Sequence, residues 1–99
     1  MRAILIKPDT RSVETVEIQN RGDIVRLVGY DTLESDAVGN AGDQLFFDEE
    51  CFLRASAGRF QIDKLIPVSG VGVIVGVDGD TLHDAKTDLD DLRRRIQYL

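Results

Sequence analysis

Three carboxylates and the only histidine of the chain fall within seven residues, Asp78-Gly79-Asp80-Thr81-Leu82-His83-Asp84. Carboxylate oxygens and an imidazole are donors for a divalent cation, so Asp78, Asp80, His83 and Asp84 are the candidates for a metal site, where an ion can polarise a substrate or activate water. An EF-hand loop starting at Asp78 needs an oxygen ligand where Leu82 stands and a glycine where His83 stands, and the calcium template fails at both. Aspartate and glycine are also what a tight turn asks for on its own account. A solvated acidic turn is therefore the simpler reading of this segment.

Other residues with chemical potential have plainer explanations. His83 has no serine or second cysteine at a motif spacing with which to form a nucleophile and base pair. Cys51, the only cysteine, follows Asp48-Glu49-Glu50, whose negative charge disfavours a thiolate; it reads as a small packing residue. Arg54, Arg59 and Lys64 around Ser56-Ala57-Gly58 offer positive charge to a phosphate but lack the Walker spacing, and scattered cations are usually a solvated face. The sequence implies no catalytic residue and no cofactor.

The elements that must position these groups are easier to read. Residues 70 to 77, Gly-Val-Gly-Val-Ile-Val-Gly-Val, put valine at every odd position and mostly glycine at the even ones, so an extended chain has one apolar face and one nearly bare. Each interior glycine costs roughly 0.5–1 kcal/mol relative to alanine, and the bare face is expected to be filled from within, by the final helix or by aromatic side chains, Phe46, Phe47, Phe52 and Phe60 among them. For the same reason Gly70 and Gly72 cannot open a dinucleotide-binding turn, which requires a helix to follow.

Ala3-Ile4-Leu5-Ile6 reads as a central strand and Thr15-Val16-Glu17-Ile18 as its hairpin partner, joined through Pro8-Asp9-Thr10-Arg11. Asn20 caps a short helix near 21–28 that Gly29 ends. Gly39-Asn40-Ala41-Gly42 reverses the chain into Leu45-Phe46-Phe47, while the stretch from Phe52 to Ile62 resists assignment. Leu89, Leu92, Ile96 and Leu99 form one stripe of a C-terminal helix near 88–98, with Thr87 as its cap. Its charges run with the helix dipole, and pairs of Asp90 with Arg94 and Asp91 with Arg95 are expected. Strands at both ends with helices between and after them predict one α+β domain over residues 1–99, with an antiparallel or mixed sheet of four to six strands.

Charge narrows the function classes. The net charge of -6, with twelve basic residues scattered among eighteen acidic ones, argues against nucleic-acid binding, which rests on a basic stripe. No run approaches the length of a membrane span, and the start Met1-Arg2-Ala3-Ile4-Leu5-Ile6-Lys7 is too quickly charged for a secretory signal. A cytoplasmic protein with no membrane association is expected.

Met1-Arg2-Ala3-Ile4-Leu5-Ile6, Val28-Gly29-Tyr30-Asp31-Thr32-Leu33-Glu34, Asp48-Glu49-Glu50, and Gly72-Val73-Ile74-Val75-Gly76 followed by Asp78 together resemble the landmarks of a small family catalogued as domain of unknown function 3846. That family occurs in bacteria and their phages and plasmids. The resemblance spans nearly the whole chain and implies a bacterial or mobile-element accessory protein, with no reaction or catalytic residue to carry over. The expectation is a non-enzymatic accessory protein that binds another protein or itself. A metal-dependent enzyme or cation-binding protein using the acidic turn 78–84 is the alternative, and a nucleic-acid-associated protein a second.

Overall fold

A computed structural model describes residues 1–54 and 58–99. In chain order the elements are β1 (Arg2–Lys7), β2 (Ser12–Glu17), α1 (Arg21–Val28), β3 (Leu33–Val38), β4 (Asp43–Asp48), a single 3₁₀ turn (Cys51–Leu53), β5 (Arg59–Ile62), β6 (Val68–Ser69), β7 (Gly72–Asp78), β8 (Thr81–His83), α2 (Leu89–Arg95) and β9 (Ile96–Tyr98). The architecture is α+β, dominated by strands.

The main sheet runs β2-β1-β7-β4-β3, with β8 also paired to β7. Every pairing is antiparallel, which resolves the sheet type the sequence left open. β7 lies in the middle, with Ile4–Ile6 along one side and Asp43–Phe46 along the other. A second sheet, β6-β5-β9, comprises three short strands.

Alternation along β7 sends its two faces to two cores. Val73 and Val75 pack with Ala3, Leu5, Phe46 and the buried Ile24 and Val28 of α1. Ile74 faces the other way, with Ile4, Ile6 and Leu45, toward Phe60, Ile62 and Val68 of the second sheet and Leu92 of α2. The amphipathic C-terminal helix thus covers the glycine side.

That side is filled from within, with Phe47 and Phe60 among its core, whereas Phe46 packs on the valine side and Phe52 stands exposed. A Cβ on Gly72 would stand 2.7 Å from the ring of Phe60 and 2.9 Å from a methyl of Leu45, and one on Gly76 would clash with the imidazole of His83 and the Asp84 carbonyl. Phe60 is fully buried, so its ring takes the volume that a side chain at 72 would occupy. Gly70 is different: it precedes the strand at φ +88° and serves the turn from β6, leaving two glycines on the bare face rather than three.

Capping chemistry explains α1. The Asn20 side chain accepts from the Asp23 amide, Gly29 adopts φ +94°, and the Asp23 carboxylate reaches back to the Gln19 amide at 2.8 Å. The C-terminal helix departs from expectation at both ends. Its cap is Asp88, which accepts from the Asp91 amide, because Thr87 is committed to Asp43 of β4. It stops at Arg95 because Ile96, Gln97 and Tyr98 instead pair with Ile62, Gln61 and Phe60 of β5. Arg95 keeps its pairing with Asp91, but Asp90 bonds Arg93, and Arg94 pairs with Asp91.

Filling the Gly72 site twice should be costly. Gly72→Ala is expected to lower stability by about 2 kcal/mol through overpacking, read as a shift in urea midpoint. Combining it with Phe60→Leu should recover part of that loss.

Candidate functional site

The segment 78–84 forms the β7–β8 hairpin. Gly79, at φ +60°, occupies the first central position of a two-residue turn in which Asp78 pairs with Thr81, the position where a hairpin turn of this kind takes glycine. Asp78 and Asp80 stand exposed at its tip, whereas His83 folds back over Gly76. Asp84 is a latch: its carboxylate accepts from the Arg2 amide at 2.7 Å, while the Arg2 guanidinium donates to the carbonyls of Ala85 and Thr87. Asp78, Asp80, His83 and Asp84 therefore do not converge, and no group of three or more His, Cys, Asp or Glu among the described residues is arranged to hold a metal ion.

The other candidates are likewise dispersed. Arg54 pairs with Asp48 at 2.9 Å and Glu50 at 3.3 Å, and its guanidinium lies 4.0 Å from the centre of the Tyr30 ring. Arg59 lies over Phe52. Ser56 and Ala57 lie outside the described residues. Cys51 is buried, in keeping with a packing role.

Two buried carboxylates escaped the reading of the sequence. Asp43 is only 2% exposed and accepts from the amides of Lys86 and Thr87 and from the Thr87 hydroxyl, at 3.0, 2.7 and 2.5 Å. It clamps the segment before α2 to the start of β4. Asp48, at the far end of β4, accepts from the Thr32 hydroxyl, the Glu50 amide and Arg54. Burial pushes the Asp48 carboxyl up, but these three donors outweigh it and hold its pKa below the ordinary value. The Gln19 amide lowers that of Asp23, and the Arg95 guanidinium that of Asp63.

An open surface exists elsewhere, beside β3. This strand pairs only with β4, so it ends the sheet. Glu34 stands opposite Phe47 and Asp36 opposite Leu45, which puts both acids on the glycine side of the sheet. There they border a groove of about 290 Å³ that also contacts Phe47, Cys51, Phe52, Ile66, Pro67 and Glu49. Phe47 and Cys51 are buried, whereas Phe52 is 53% and Ile66 65% exposed, with Leu53 next to Phe52 at 82%. The charged residues lining the groove are all acids, with the Arg59 guanidinium over the Phe52 ring at its rim, and Glu34, Asp36 and Glu49 form no ion pair among the described residues.

The order of the strands puts this groove together, and no local signal in the sequence joins its residues. No helix among the described residues is long and apolar enough to cross a membrane. No family model, no curated protein and no solved structure matches the chain.

The buried carboxylates make two predictions. Asp43→Ala should cost about 3 kcal/mol, because it strands buried donors that now bond a charged group, and chemical denaturation would show it. Asp23, Asp48 and Asp63 bind protons less readily folded than unfolded, so the stability they supply is complete above the unfolded pKa of about 4 and is lost as pH falls through their lower folded values. Asp48→Asn should be less stable at neutral pH and show a shallower acid dependence in urea midpoints; a slope equal to that of the parent would contradict the assignment.

Proposed function

We propose that this chain is a non-enzymatic protein-binding module, an accessory protein of the kind its resemblance to the bacterial and phage family implies, and that the groove beside β3 is its docking surface. The observation that carries this reading is the coincidence of exposed Phe52 and Ile66 with an open strand edge. Single exposed apolar side chains are ordinary on a protein surface, whereas a group of them around a concave floor is a feature of interaction sites. Aromatic anchors within a polar border are the usual anatomy of such a site. Glu34, Asp36 and Glu49 supply that border here.

The alternatives lack a comparable gathering of groups. The residues 78–84 are spread between a hairpin tip and a backbone latch. Arg54, Arg93, Arg94 and Arg95 are each engaged by a carboxylate, which lowers the positive potential a phosphate backbone would meet.

Panning a random displayed-peptide library against the intact protein tests the reading. Peptides retained by the parent should be lost by Phe52→Ser with Ile66→Ser, two exposed changes expected to leave the thermal midpoint within a degree or two. A library that enriches nothing, or peptides indifferent to both substitutions, would remove this surface as the binding site.

A further inference from the structure

The partner's chemistry follows from the register of β3, and this step rests on the protein-binding reading above. Alternate residues of an antiparallel edge strand direct N–H and C=O away from the neighbour, and those of β3 meet no strand among the described residues. Such an edge is a template for one more strand. We infer that β3 receives an extended, basic segment of a partner protein as an added strand, with Lys or Arg at every second position facing Glu34 and Asp36.

The spacing makes this specific. Glu34 and Asp36 are two residues apart and share the groove side of the sheet, so an added strand places its alternate side chains directly beside them. A long cation there lays its methylene stem across Phe52 and Ile66 and brings its head to the carboxylates. Intervening residues meet the opposite face, with exposed Ser35 and Ala37, where small or β-branched side chains suit a strand.

Charge also selects among occupants. A second copy of this chain that approached edge to edge would set Glu34 and Asp36 against the same acids on its own β3. Like charges across strands repel. The same acids repel the phosphates of nucleic acid and of anionic lipid. A basic polypeptide is the occupant that this border attracts.

The test titrates the isotopically labelled full chain with a synthetic peptide alternating Lys with Thr and Val, and with its counterpart carrying Glu for Lys. The Lys peptide should bind, shift the resonances of residues 33–38 and slow exchange of their outward amides. Glu34→Lys with Asp36→Lys should weaken it by about tenfold or more, and the same variant should gain the Glu peptide. Glu34 is exposed and Asp36 half-buried at the sheet edge, and an unchanged thermal midpoint verifies the fold. Lys-peptide binding that ignores the charge reversal, or that perturbs residues away from β3, overturns the inference. So does a set of library peptides that depends on Phe52 and Ile66 but lacks alternating cations and leaves β3 amides unprotected; in that case the module reading stands. Enrichment of nothing by the library, together with silence from the Lys peptide, removes both.

Discussion

β7 lies between β1 and β4, so whatever packs on its glycine side must reach the middle of the sheet, and at Gly72 the ring of Phe60 stands where a side chain would be. The rest of the architecture depends on that close approach. Phe60 belongs to β5, the central strand of the second sheet, and β5 in turn holds both β6 and β9. The valine side of the same strand seats α1. One strand with side chains of very unequal size therefore meets two layers in different ways, admitting the Phe60 ring against its backbone at Gly72 on one face and seating α1 on valine on the other, as dense interior packing requires.

Much of this was legible in the chain. The alternation at 70 to 77, the cap at Asn20, the stop at Gly29 and the reversal at 39 to 42 are local signals, and local chemistry decides them. The second sheet was not legible, because Arg59–Ile62 and Val68–Ser69 are short and carry no sustained period. Ile96 and Leu99 continue the helical stripe of α2, yet the open side of β5 draws Ile96 to Tyr98 into a strand; pairing with a distant segment overrides the periodicity. Thr87 shows the same override on a smaller scale, a competent helix cap drawn instead to a buried aspartate. The acidic turn was legible as a turn. The groove at β3 was not, since it joins residues from 34 to 67 that only the strand order makes neighbours.

Carboxylates in this molecule divide into those spent on structure and those left on the surface. Asp43 and Asp48, at the two ends of β4, organise chain segments that have no regular structure of their own, the lead into α2 and the turn around Thr32 and Arg54. Asp63 bridges to Arg95 from the end of β5. Glu34, Asp36 and Glu49 hold no such partner among the described residues, and they stand together where exposed Phe52 and Ile66 lie beside an edge strand. Net negative charge thus has a local meaning here beyond solubility.

The pairing of Ile4–Ile6 with Ile74–Gly72 has a kinetic side. The β1–β2 and β3–β4 hairpins close within a few residues, but the strand that welds them is supplied from the far end of the sequence, and such non-local closure is slow. During refolding, a species with both hairpins made and β7 not yet inserted presents the inner flanks of β1 and β4, rich in isoleucine, leucine and phenylalanine, with nothing bonded to them. That half-assembled sheet is where misassociation competes with folding.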